Sequence, residues 1–306
     1  MDRFVLELRE RFDFFGLAVD FVFDDLSLLA AVRAAYPEWR ATTRAEPKIE
    51  IRLTLDDRVN GAVSEDISVD GSRLTLSASG VSGEADARSG RAQARVPSRL
   101  VDDPAALAAE VVDTLLLFLL TRSGRTPVHA AGLLLGDTGV VLAGPSGSGK
   151  STLTLAAMER GFSVLSDDTL YIQLHPALRV WGFRRPLHVF PEDAPRFTGA
   201  TRLRAGKLKT VVPLAAGARA GSAVADKAVL LLLERGDRLG LTRLDTATAE
   251  AGLARLDPGF DLLARESAKA AQALAAGGAW RLTLARDPGA AIDFLRERLS
   301  AGLAEG

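Results

Sequence analysis

The sequence predicts an α/β domain over residues 101–306 and a smaller β-rich α+β unit over residues 1–100. Three observations carry that reading. From Val128 onward, short apolar strands alternate with helical stretches, the pattern of a mixed α/β layer. Val140 to Ala143 is an apolar strand that runs directly into Gly144-Pro145-Ser146-Gly147-Ser148-Gly149-Lys150-Ser151-Thr152 and then into a helix. Before residue 100, Ile49, Ile51, Leu53 and Leu55 alternate with Glu50, Arg52 and Thr54, the period of a half-buried strand.

Each element has a local reason. A helix is expected around Leu28 to Ala35. Asp66 to Val69 and Arg73 to Ala78 read as strands joined by the turn Asp70-Gly71-Ser72, and Gly80 to Gly90 reads as turn-rich, so the N-terminal unit is expected to be a small antiparallel sheet. Asp103-Pro104 starts a helix, with Asp as N-cap and Pro at the first helical position; its apolar face runs through Leu107, Val111, Leu115 and Phe118, and Gly124 to Pro127 ends it. Val128 to Leu135 is expected as one strand, followed by the helix Lys150 to Arg160 closed by Gly161 and the strand Phe162 to Leu165. The short loop joining that helix to its strand predicts parallel neighbours on either side of the helix.

Thr169 to Leu174 is a further strand, ended by His175-Pro176, and the Pro- and Gly-containing segment from Arg184 to Val212 reads as a long functional loop. Ala228 to Leu233 is a fully apolar strand, with Leu239 to Leu244 expected as its antiparallel partner. Helices over Thr246 to Leu256 and Phe260 to Leu274, a strand at Trp280 to Leu284 and a last helix from Asp287-Pro288-Gly289 complete the domain.

Composition narrows the function. A chain of 306 residues with 47% hydrophobic content can fill real cores. A net charge of −1, a pI of 6.4 and no block of like charges leave no basic footprint for nucleic acid. The absence of cysteine excludes disulfides and thiolate chemistry and suits a reducing compartment. The N-terminus from Met1 to Arg11 is too charged for a secretory signal, and the apolar run from Val111 to Leu120 is interrupted by Asp113 and falls short of the about 20 residues of a membrane span. The expectation is a cytoplasmic protein with no membrane partner, for which a homo-oligomer stays open.

Gly144, Gly149, Lys150 and Ser151 match GxxxxGK[ST], the phosphate-binding loop. Glycines let successive backbone N–H groups converge on phosphate oxygens, and the N-terminus of the following helix adds partial positive charge. Residues Gly144 to Thr152 are therefore the expected contacts of ATP or another nucleoside triphosphate. Lys150 is expected to reach the β and γ phosphates, and the Ser151 hydroxyl to hold Mg²⁺. Ser166-Asp167-Asp168 follows the strand Phe162 to Leu165, and ligands in α/β folds sit beyond the carboxyl ends of strands. Neighbouring side chains on an extended chain diverge, so one carboxylate can serve a metal and the other can accept a proton; a capped turn is the plainer alternative. His129 lies shortly before the loop strand, and Lys207 and Lys209, with Arg202 and Arg204, stand ready to close over phosphates, bind an acidic substrate or simply form a solvated basic loop.

Pro127-Val128-His129-Ala130-Ala131-Gly132, the phosphate loop, Leu153 to Gly161 and Leu165-Ser166-Asp167-Asp168 together resemble the C-terminal kinase domain of HPr kinase/phosphorylase, in particular its stand-alone relatives. The resemblance spans Thr126 to Ile172 and implies a fold similar to phosphoenolpyruvate carboxykinase. It implies that His129 and Asp167 lie near the reacting phosphoryl group, with Asp167 as the base and Asp168 on the metal side. It further implies an ATP- and Mg²⁺-dependent kinase acting on a hydroxyl, Ser first, of a protein or peptide; some relatives are similar to kinases of natural-product precursor peptides. Where HPr kinases carry an acidic and a small aliphatic residue in the loop, this chain has Pro145 and Ser148, a departure that leaves HPr itself as acceptor open. A P-loop ATPase and a small-molecule kinase remain the alternatives from the residues. Against a transporter-type ATPase, no LSGGQ sequence occurs and Val229 to Leu233 ends in Glu234-Arg235.

Overall fold

The computed structural model describes residues 7–40, 46–58, 66–78, 80–183, 186–194, 200–204, 207–214, 222–254 and 264–303. It divides into two compact units, Met1–Arg125 and Thr126–Gly306.

The first unit contains β1 (Leu8–Phe14), β2 (Leu17–Phe23), α1 (Leu26–Ala35), β3 (Ile49–Leu55), β4 (Asp66–Asp70), β5 (Arg73–Ala78), β6 (Val81–Asp86), β7 (Arg91–Val96) and a helix α2 (Pro104–Arg122). Its strands form one sheet in the order β1-β2-β3-β7-β6-β5-β4. The sheet is mixed, not antiparallel, because β3 runs parallel to both β2 and β7. The first hairpin escapes sequence reasoning because every residue of β2 is buried, which removes the alternation that marks a half-buried strand. The boundary at Arg125 also lies beyond the expected 100/101. The reason is α2, which packs on β3, β5, β6 and β7 and seats Leu107, Val111 and Leu115 in the core. A one-sided sheet needs such a cover, so helix and sheet fall into one unit. Asp103 caps α2 as expected, accepting from the Ala105 and Ala106 amides at 3.2 and 3.0 Å. By length and composition α2 is apolar enough to cross a membrane, but 56% of its apolar window is buried inside the protein.

The second unit runs β8 (Thr126–His129), β9 (Ala131–Leu135), β10 (Thr138–Ala143), α3 (Lys150–Glu159), β11 (Ser163–Ser166), β12 (Thr169–Gln173), β13 (Arg179–Phe183), β14 (Leu187–Val189), β15 (Thr201–Arg204), β16 (Lys207–Val212), β17 (Ser222–Ala225), β18 (Lys227–Arg235), β19 (Gly240–Arg243), α4 (Thr246–Ala254), α5 (Ala264–Ala276), β20 (Ala279–Leu284) and α6 (Pro288–Ser300). Three sheets result: β11-β9-β10-β18-β20-β19, β17-β13-β12-β8 and β14-β16-β15. The expected mixed α/β architecture is present.

Alternate residues of β10 feed opposite faces of the six-stranded sheet, as strand geometry requires. Val140 and Leu142 join Leu153 of α3 and Ile292 of α6 on one side. Val141 and Ala143 join Leu253 of α4, Leu274 of α5 and Leu170 of β12 on the other. The second sheet lies close against this face. A Cβ on Gly182 of β13 would fall 2.1 Å from the Leu165 carbonyl oxygen, so only glycine fits there.

Besides Gly80 to Gly90 of the first unit, expected as turn-rich but holding β6, four strand-level expectations of the second unit are corrected. Val128 to Leu135 is two strands in different sheets, broken at Ala130. The strands flanking α3 are parallel but not neighbours, because β9 inserts between β10 and β11, antiparallel to both. β19 pairs with β20 instead of β18, since β20 takes the place beside β18. The segment expected as a loop holds the three-stranded sheet. Residues 255–256 and 260–263 of the expected helices, and Arg184, Pro195, Gly199 and Gly206, lie outside the described residues.

Candidate phosphate-binding site

The site begins where β10 ends. Gly144 is packed so tightly that a Cβ would meet Ser148 Oγ at 2.7 Å and Leu233 Cβ at 3.2 Å. The Ser148 amide donates to the Pro145 carbonyl at 3.1 Å, closing a turn. Gly147 (φ +81) and Gly149 (φ +102) then take left-handed backbone that other residues rarely adopt. Gly149 is the N-cap of α3 and has no side chain to occupy the helix's first amides, which stay available to an anion.

Lys150 folds back over this loop. Its Nζ donates to the Gly144 carbonyl at 2.5 Å and to the Pro145 carbonyl at 3.3 Å. Burial pushes the Lys150 ammonium below the ordinary lysine value; nearby Asp168 opposes that shift and Lys209 adds to it. A buried ammonium that faces a second cation favours an anionic ligand. Ser148 Oγ is buried with no hydrogen-bond partner beneath the loop. Cradling glycines, available amides and a desolvated lysine together fit a polyphosphate.

The acidic pair arrives from β11. A bulge between Val164 and Ser166 shifts that strand's register against β9 just before the turn. Ser166 Oγ accepts from the Asp168 and Thr169 amides at 3.4 and 3.3 Å, so the capped turn named as the plainer alternative is present at the carboxylates. Asp167 is only 8% exposed, and its Oδ2 accepts from the His188 amide at 3.2 Å. Asp168 is half-exposed, with its Oδ1 3.5 Å from His129 Nδ1. That proximity follows from the second sheet, where His129 at the end of β8 pairs with Thr169 at the start of β12.

A cavity of about 610 Å³ joins these groups. Of the sequence-predicted residues, His129, Ser146, Gly147, Gly149, Lys150, Ser151, Thr152, Asp167 and Asp168 line it, with Lys207 and Lys209. Gly144, Pro145 and Ser148 shape the loop without lining the cavity, and Arg202 stays outside it. Lys207 and Lys209 stand over the Phe190 ring, 5.8 and 5.2 Å from its centre. Sequence reasoning missed Asp193, which accepts from the Thr152 hydroxyl at 2.9 Å, and also Arg235, the last residue of β18, and Arg286, just beyond the end of β20. The strand-end rule could have flagged the two arginines, but only with the strand order known. Among the described residues no group of three His, Cys, Asp or Glu side chains is placed to hold a metal ion; Ser151, Asp167, Asp168 and Asp193 all line the cavity.

No family model matches this chain, and no curated protein matches it. Among solved structures it is similar to the Hpr(Ser) kinase/phosphatase from Coxiella burnetii, with 12% sequence identity, 59% of this chain and 100% of that chain covered, and a TM-score of 0.29. At that score the likeness carries no functional argument, which rests instead on the site.

Proposed function

We propose that this protein is an ATP- and Mg²⁺-dependent kinase that transfers the γ-phosphoryl group to a hydroxyl, Ser first, of a protein or peptide. One observation carries the reading: a single cavity holds the glycine loop and Lys150 together with a buried, backbone-anchored carboxylate, Asp167. In this reading the loop amides and Lys150 compensate the phosphate charge, and Ser151 and Asp168 hold Mg²⁺, which when bound neutralises phosphate oxygens. Asp167 takes the proton of the acceptor hydroxyl as its oxygen bonds to the γ-phosphorus and the bond to the β-phosphate oxygen breaks. His129, within reach of Asp168, orients that carboxylate and adds a donor near the transferring group. Lys207 and Lys209 line the cavity as further partners for anionic groups.

A motor-type ATPase reading is less well supported. β18 runs parallel beside β10, where such enzymes carry an Asp-Glu pair for metal and water; here it ends in Glu234-Arg235, and Glu234 faces Arg281 at 3.4 Å. Asp167→Asn tests the base. The variant is expected to bind ATP as the wild type does and to lose transfer by about 10²-fold or more, the scale of general-base catalysis. Full transfer by the variant would remove Asp167 from that role.

A further inference from the structure

Two groups of charges lining the cavity are set apart by the order of the strands, while Asp193, Lys207 and Lys209 reach it from the segment that holds the three-stranded sheet. In the sheet order β11-β9-β10-β18-β20, the acidic pair follows β11 on one side of the loop strand β10, and on the other Arg235 ends β18 and Arg286 follows β20. Arg235 lies against the loop itself: a Cβ on Gly149 would come within 2.9 Å of its Nη2. Among the described residues no carboxylate pairs with Arg235. Its neighbour Glu234 instead faces Arg281 at 3.4 Å. An uncompensated guanidinium pressed on a phosphate-type loop has its hydrogen-bonding fork available to phosphate oxygens.

We infer that Arg235, with Arg286 beside it, forms the metal-free wall of the site and holds donor phosphate oxygens on the side away from Asp167 and Asp168. The inference rests on the triphosphate reading above and adds an orientation to it. Carboxylates attract a divalent cation and repel bare phosphate oxygens, whereas a guanidinium does the reverse. A polyphosphate between two such walls therefore turns its metal-bound oxygens toward the acidic pair and its bare oxygens toward Arg235. The residue is exposed and terminal in its strand, so the fold does not depend on it.

The test is equilibrium binding of ATP and of inorganic tripolyphosphate to the full chain, with and without Mg²⁺, for the wild type, Arg235→Ala and Arg235→Lys, each checked by thermal unfolding. Arg235→Ala is expected to weaken both ligands about 10- to 100-fold, the scale of charge-assisted hydrogen bonds, with the larger loss when Mg²⁺ is absent. Arg235→Lys, which keeps the charge but not the fork, is expected to recover part of the loss and provides the comparison if the Ala variant unfolds. Weakened ATP with unchanged tripolyphosphate would move Arg235 to the nucleoside and overturn the inference. Unchanged binding of both would overturn it while leaving the triphosphate reading intact. A wild type that binds neither ligand would overturn the triphosphate reading, and the inference with it.

Discussion

Lys150 sets the behaviour of the cavity at the scale of a single residue. Its ammonium is buried, and its pKa is lowered chiefly by that burial. The charged form is disfavoured in the folded protein, so Lys150 weakens the fold below the lowered pKa, and the penalty fades as pH rises to the ordinary value of about 10.4. Only the charged form binds phosphate. Nucleotide affinity should therefore fall as pH rises through the lowered pKa, earlier than an ordinary lysine would dictate, as a pH series of ATP titrations can read. Lys150→Met should abolish ATP binding without lowering the thermal midpoint, because it removes a desolvated charge. These residues were legible in the sequence because the loop is a contiguous pattern whose spacing encodes its chemistry. Arg235 was not, because nothing local marks a strand-end arginine as the neighbour of Gly149.

Among the elements, legibility follows the same line between local and distant. The Asp-Pro helix starts were readable because a cap is complete within a few residues: Asp287 accepts from the Gly289 and Ala290 amides at 2.8 and 3.1 Å, as Asp103 does at α2. Asp287→Ala should cost about 1 kcal/mol, measurable by chemical denaturation. Strand order was unreadable because it is decided by pairing across long stretches of chain. β9 separates β10 from β11, and β20 displaces β19 from β18, for reasons that no local window contains. Gly182 marks where the second sheet meets the first. Gly182→Ala would drive a methyl into the Leu165 carbonyl and should lower stability by about 1–3 kcal/mol or more, the range of overpacked cores. Because Leu165 precedes the acidic pair, the same change should also weaken phosphate transfer more than ATP binding.

For the whole molecule, the described residues lining the cavity all lie in Thr126–Gly306. The fragment 126–306 should therefore bind ATP with an affinity close to that of the full chain, as titration of both proteins can establish. Failure of the folded fragment to bind would assign the N-terminal sheet a part in the donor site. Transfer to a hydroxyl is read from the fate of γ-labelled phosphate incubated with the full chain, Mg²⁺ and Ser-containing peptides. We expect acid-stable label on peptide serine, present with the wild type and lost with Asp167→Asn. Label recovered only as free phosphate would contradict a kinase and identify an ATPase.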